Sequence, residues 1–185
     1  AEARARVWDL SGAPRRVILD IDATLITAHS DKQGAAGTYK GGYGFAPLLC
    51  FESSTREAMS GILRPGNAGA NHAWDHIEVL CLALEQLPEG FDLRGVLVRC
   101  DSAGATHGLV DYCRDARMRY SVGYELTGSV RAAILKIPAD TWIAALNPDG
   151  STRKNGEITE ITSHVDLSSW PAGSRLIVRR ERPHP

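Results

Sequence analysis

The run Val17-Ile18-Leu19-Asp20-Ile21-Asp22-Ala23-Thr24-Leu25-Ile26 is apolar and β-branched, interrupted by two carboxylates. Residues 16–26 therefore read as a central strand. A second run of the same kind is Val96-Leu97-Val98-Arg99-Cys100-Asp101-Ser102-Ala103-Gly104. Each run carries an aspartate near its end, followed by small or hydroxylated residues where the chain must turn. Carboxylates carried on adjacent strands converge on one point, and two or three of them suit a hard divalent cation such as magnesium. The pair Asp22 and Asp101 therefore predicts a metal-dependent phosphoryl-transfer site. Asp20 lies two residues before Asp22, on the same face of a strand. It is either a further metal neighbour or a like charge beside the site.

Working outward, residues 43–52 and 57–64 read as two more strands joined by Ser53-Ser54-Thr55 as a hairpin turn. Residues 28–42 hold Gly34, Gly37, Gly41 and Gly42 among polar residues and read as a loop without a core of its own. Asn71 is placed to cap a helix over residues 72–87, with Trp74, Ile77, Leu80, Cys81, Leu84 and Leu87 at helical spacing. Pro88 and Gly90 stop it. A strand over 95–100, a helix near 106–116, a strand over 118–125 and a helix near 128–136 follow. Three antiparallel strands and then alternating helices and strands is the ribonuclease H-like order, an α/β mixed sheet in which the first and fourth strands lie side by side. Asp22 and Asp101 then face each other, and two metal ions held there would activate an attacking oxygen and stabilise the leaving oxygen of a phosphodiester.

After Pro138 the texture changes. The segments TWIAAL, EITEITSHV and RLIVRRER alternate apolar and polar residues around Asn147-Pro148-Asp149-Gly150 and Trp170-Pro171-Ala172-Gly173. This is β-hairpin material. The chain thus divides into residues 1–15, a linker or the end of an upstream helix; 16–137, the catalytic core; and 138–185, the beginning of a β-rich insertion.

A chain of 185 residues holds one domain with a real core, or one domain and part of another. Its net charge of −1 gives no global basic field for nucleic acid, although a local basic face can sit on a neutral protein. Arg175, Arg179, Arg180 and Arg182 crowd the C-terminus and are candidate DNA contacts. Cys50, Cys81, Cys100 and Cys113 form no CxxC pair and read as reduced thiols of a cytosolic protein. No apolar stretch approaches the roughly 20 residues of a membrane span.

The segments LDIDATLITAHSDKQGAAGTYKGGYGFAPLLCF, LRPGNAGANHAWDHI, LVRCDSAGATH, RYSVGYEL and RLIVRRERPHP, in this order, resemble the DDE transposases of bacterial insertion sequences, in the branch called transposase DDE domain, group one. The resemblance runs over about residues 16–185. It implies a ribonuclease H-like core with a β-rich insertion before its last helix, and DNA transposition with Mg2+ or Mn2+. The intact enzyme would cleave phosphodiesters at transposon ends and transfer the 3′ hydroxyls to target DNA, as a homodimer, in the bacterial cytoplasm at the nucleoid. Asp22 matches the family's first catalytic aspartate and Asp101 the second. The third acid, a glutamate on a helix after the insertion, has no counterpart here: Glu157 and Glu160 lie in the expected insertion and Glu181 in a strand. The chain is expected to stop inside the insertion and to be inactive alone.

Two other readings stand beside this one. The chain without its third acid is a non-catalytic DNA-binding or assembly module of the same fold. Alternatively, Asp20-Ile21-Asp22-Ala23-Thr24 matches the DxDxT of haloacid-dehalogenase-like phosphatases, with Asp20 as nucleophile and Asp22 as acid/base; that reading requires a helix directly after Leu25 and an all-parallel sheet. His72 and His76 are four residues apart on the expected helix, a metal-binding spacing, but without a third ligand they read as a solvated or capping pair. His29 and His107 follow the aspartate strands. Arg64 and Asn67 adjoin a turn. Trp142 and Trp170 either stack on bases or pack in the hairpins.

Overall fold

The computed structural model describes Trp8 and residues 16–182. The reading of residues 1–15 as a linker therefore falls, Trp8 apart, outside the described residues. The chain divides into two compact units, residues 1–124 and 125–185. The helix over 128–135 groups with the β-hairpins in this division rather than with the main sheet.

The first unit is built on a five-stranded sheet. Its strands are β1 (Val17–Ala23), β5 (Leu48–Glu52), β6 (Ala58–Ile62), β7 (Val96–Cys100) and β8 (Arg119–Val122), in the order β6-β5-β1-β7-β8. β5 and β6 are antiparallel neighbours on one side of β1, while β7 pairs parallel to β1 and β8 parallel to β7. A parallel pairing needs a crossover, and α1 (Ala73–Leu84) and α2 (His107–Asp115) lie on the two crossovers. This is the mixed sheet of a ribonuclease H-like core. β1 has antiparallel β5 on one side, and a short strand, β2 (Ile26–Thr27), follows it in place of a helix. Both features are incompatible with the phosphatase topology.

Alternation along β1 sends Val17, Leu19 and Ile21 to the buried face. There they meet Leu48 and Cys50 of β5, Val79, Leu80 and Ala83 of α1, Val96 and Val98 of β7, and Leu109 and Cys113 of α2. Each large aliphatic side chain removed from water here contributes about 1.5–3 kcal/mol. Burial also pushes the thiols of Cys50, Cys100 and Cys113 up to about 12, so they act as small apolar groups rather than nucleophiles. All four cysteines are free.

Three local expectations need correction. The N-cap of α1 is His72, not Asn71, and it makes no side-chain capping bond. The buried face of α1 is His76, Val79, Leu80 and Ala83, so the helix is rotated and Trp74 stands 74% exposed. Helical periodicity alone cannot choose between neighbouring faces when apolar residues occur on both. Finally, the run 43–52 is two strands: β4 (Tyr43–Phe45) and β5, separated at Ala46-Pro47. Proline lacks the amide that a continuous ladder requires. β4 instead forms a second small sheet with β2 and β3 (Ala36–Gly37), in the order β2-β4-β3, where glycine content predicts a coreless loop.

The second unit contains α3 (Gly128–Leu135), capped by the Thr127 hydroxyl accepting from the Val130 amide, and a three-stranded antiparallel sheet. That sheet is β9 (Ile143–Leu146), β10 (Thr152–Glu160) and β11 (Ile177–Glu181), in the order β11-β10-β9. The hairpin material predicted after Pro138 is thus folded as hairpins, with Gly150 at φ +83° in the first turn. Among the described residues no helix is long and apolar enough to cross a membrane.

Candidate active site at the strand ends

The site follows from the parallel register of β1 and β7. Asp20 pairs with Arg99 and Ile21 with Cys100. One step further along both strands stand Asp22 and Asp101, at the same end of two adjacent parallel strands. The crevice outside the carboxyl ends of parallel strands is the usual ligand site of such sheets. Both aspartates are exposed.

Each carboxylate is oriented by its own backbone. Asp22 Oδ1 accepts from the Ala23 amide at 2.8 Å. Asp101 Oδ1 accepts from the Ala103 amide at 2.8 Å and so caps the 3-10 turn Ser102–Gly104. Among the described residues, the structure gives neither Oδ2 a partner. Two hard anionic oxygens, each held by a local amide bond and open on its other side, are a donor set that fits a divalent cation completing its shell with water or phosphate. No group of three His, Cys, Asp or Glu placed to hold a metal occurs among the described residues.

Gly123, just beyond β8, is a positioning residue that sequence reasoning missed. Its amide donates to Cys100 O at 3.1 Å and Asp101 O at 3.3 Å. A Cβ there would sit 2.6 Å from the Ser102 amide nitrogen, so only glycine lets the end of β8 close on the turn that carries Asp101. The one sequence signal is a glycine directly after an apolar strand.

Asp20 is held differently. Both its oxygens accept from the Arg99 guanidinium, at 2.6 Å each, and the same fork donates to Ser53 Oγ at 3.0 Å. The hydrogen bond to Asp20 raises the Arg99 pKa above its ordinary value. This bidentate clamp ties β1 to β7 and to the end of β5. Glu52, fully buried, organises the β5–β6 turn in a similar way. Its carboxylate accepts from the amides of Ile18, Ser54 and Thr55 and from the Thr55 hydroxyl.

The remaining candidates are dispersed. Arg64 is buried, donating to Ala46 O at 3.0 Å and to Asp75 Oδ2 at 2.9 Å, a structural anchor for the loop before α1. His76 is buried with Nδ1 3.0 Å from His72 O, and His72 Nδ1 lies 2.7 Å from Asp75 Oδ1. The two rings therefore serve helix α1. Asn67 and His29 are exposed, and His107 opens α2.

In the second unit the arginines are engaged. Arg175 pairs with Glu160 at 2.5 Å, Arg180 with Glu157 at 2.8 Å and Arg179 with Glu181 at 3.6 Å. Arg153 also pairs with Glu181. Arg180 stacks 3.9 Å over the ring of Trp142, which is buried and so packs in the hairpin. Arg182 lies just beyond β11 with an exposed side chain.

A mixed sheet in the order β6-β5-β1-β7-β8, with β7 and β8 parallel to β1, is that of a ribonuclease H-like core. The family model for transposase DDE domain group 1 matches residues 4–185, and the chain belongs to that family. A search of curated proteins found no significant match. Among solved structures, the chain is similar to piggyBac transposase in a synaptic complex with hairpin DNA (12% identity, TM-score 0.47, 78% of this chain and 30% of that one). It is also similar to the HTLV-2 integrase catalytic core domain in complex with magnesium (15% identity, TM-score 0.40, 76% of this chain and 95% of that one). The chain thus spans about a third of the piggyBac transposase chain.

Proposed function

We propose that this chain is core material of a DDE-type DNA transposase, in which Asp22 and Asp101 hold a divalent ion, Mg2+ or Mn2+, against a DNA phosphodiester. The observation that supports the reading is the β1–β7 register: Asp22 and Asp101 each follow the last paired residues, Ile21 and Cys100, and each commits only one oxygen to a local amide. When bound, the ion would polarise the phosphodiester and lower the pKa of the attacking hydroxyl or water. The chain's own residues orient that chemistry. The Ala23 and Ala103 amides aim the carboxylates, Gly123 seats the Asp101 turn, and the Asp20–Arg99 clamp locks the two strands in register. In this reading Asp20 is an anchor rather than a direct ligand.

In the intact protein the target would be transposon-end DNA, and a homodimer would align two ends. Two carboxylates suit one ion, whereas two-metal cleavage needs further donors. Asp20 is engaged by Arg99 and no group of three His, Cys, Asp or Glu placed to hold a metal occurs among the described residues, which supports a second reading of this chain taken alone, as a DNA-binding or assembly module.

A thermal-melting series with Mn2+ tests the site. At a hundredfold excess over its dissociation constant the ion should stabilise the protein by about 2.7 kcal/mol. Asp22→Asn with Asp101→Asn should abolish the shift, and Asp20→Asn should keep it. Equal shifts in the wild type and the double variant would put the ion elsewhere; loss of the shift in Asp20→Asn would make Asp20 a ligand. Magnesium-dependent strand cleavage by the 185-residue chain is expected to be undetectable. Cleavage that Asp22→Asn abolishes would show that a third ligand lies within these residues.

A further inference from the structure

The small sheet β2-β4-β3 takes no part in the main core. It is a ribbon that begins four residues after Asp22, so it leaves the body of the first unit from the end of β1 that carries the candidate site. Its base is fastened. The Gly66 amide donates to Gly44 O at 3.0 Å, and Phe45 bridges to Pro65. A Cβ at Gly66 would lie 2.5 Å from Ala36 O, so the loop before α1 presses directly on the ribbon backbone. The Tyr43 hydroxyl donates to Asp31 at 2.8 Å and ties down the loop between β2 and β3.

The tip is also ordered. The Thr38 amide donates to Gly42 O at 2.8 Å, the Gly41 amide to Thr38 O at 3.0 Å, and the Gly42 amide to Thr38 Oγ1 at 3.1 Å. This closed turn holds Tyr39 82% exposed, with Lys40 Nζ 5.6 Å from its ring centroid. Folding does not require an aromatic ring there, since it buries almost nothing. Residues 26–45 carry Lys32 and Lys40 against the single acid Asp31, a local positive excess on a chain of net charge −1. A presented ring beside a cation, on a braced arm, is the combination that takes an unpaired base by its π-face and the adjoining phosphate by its charge.

We propose that the β2-β4-β3 ribbon is a DNA-contact arm whose tip residues Tyr39 and Lys40 grip an unpaired nucleotide of the DNA end presented to Asp22 and Asp101. The ring stacks on the base and the ammonium pairs with its phosphate. The proposal rests on the transposase reading for its ligand but not on catalysis, so binding alone tests it.

The experiment is fluorescence anisotropy with the full chain, on a blunt duplex and on the same duplex bearing an unpaired thymine tail. Tyr39→Ala should weaken binding to the tailed DNA by about five- to 150-fold, the range for losing one base stack, and change blunt binding little. Tyr39→Phe should bind like the wild type, because stacking uses the ring and not the hydroxyl. Lys40→Ala should reduce the slope of log affinity against log salt by about 0.7, the value for one single-strand phosphate contact. Because Tyr39 lies in water, its removal should leave the melting temperature unchanged. Equal affinity of Tyr39→Ala and wild type for the tailed DNA would overturn the arm while leaving the metal site standing. Failure of the wild type to bind either DNA would overturn the arm together with the DNA reading on which it rests.

Discussion

The strand-end site of the first unit and the arginine-bearing sheet of the second handle charge in opposite ways. Asp22 and Asp101 each commit one oxygen to a neighbouring amide and leave the other open. Arg175, Arg179 and Arg180 each face a glutamate. Open charge at a strand end keeps its capacity for a cation. Charge already closed within a sheet must give up a partner before it can take a phosphate, and that exchange offsets most of the gain. Four clustered arginines read as candidate DNA contacts from residue type alone, but the structure has three of them already facing a glutamate.

The sharpest way to break the first half of this contrast is Gly123→Ala. The added methyl meets the Ser102 amide nitrogen at 2.6 Å, and overpacking of this kind costs about 1–3 kcal/mol. Since the displaced turn carries Asp101, the variant should also lose most of its Mn2+-induced stabilisation in melting experiments. An intact Mn2+ response would show that the turn does not position the carboxylate.

The second half is sharpened by releasing the arginines. Glu157→Gln with Glu160→Gln removes the partners of Arg180 and Arg175. Each arginine freed for a phosphate should steepen the salt dependence of duplex binding by about 0.9 in the log–log slope, roughly a threefold change in affinity between about 50 and 200 mM salt. An unchanged slope in a salt titration would mean that these arginines do not reach DNA even when free. Arg182→Ala, tested alongside, reports the member of the cluster that lies beyond β11 and outside the three ion pairs of Arg175, Arg179 and Arg180.

The smallest effect concerns acid. The hydrogen bonds from Arg175 and then Thr162 hold Glu160 down at about 2, against an ordinary 4.5. A depressed carboxyl pKa stabilises the folded state above the unfolded value and ceases to do so as pH falls through the folded one. The contribution of this pair is therefore present above about pH 4.5 and lost toward about pH 2. Because the pair is solvent-exposed, the effect is small. Comparing melting temperatures of wild type and Glu160→Gln across that window should show a gap that closes on acidification. A gap that stays constant would locate the stabilisation in something other than the charge.

Much of the frame is legible in the amino-acid sequence. The apolar runs ending at Asp22 and Asp101 dictate two buried strands, because only a sheet buries β-branched residues while leaving a carboxylate at its end. The helical spacing between them requires a crossover, and a crossover makes those strands parallel. Alternation after Pro138 announces hairpins. These features are local, set by side-chain period and turn chemistry within a few residues.

Other features depend on residues far apart in the chain and become visible only in three dimensions. Pro47 divides a continuous apolar run between two sheets, and the glycine-rich loop becomes a strand-paired ribbon because Gly66 lets another loop approach it. The buried face of α1 is chosen by what the sheet offers, which puts His76 inside and Trp74 in water. Asp20 and Arg99 are 79 residues apart, and nothing in either neighbourhood announces their clamp. The same holds for Arg175 with Glu160 and for Arg180 with Glu157, 15 and 23 residues apart. Sequence determined which groups carry charge and which strands carry them. Tertiary structure decided which charges are answered within the fold and which stay open, because an ion pair is a matter of a few ångströms that only packing can set.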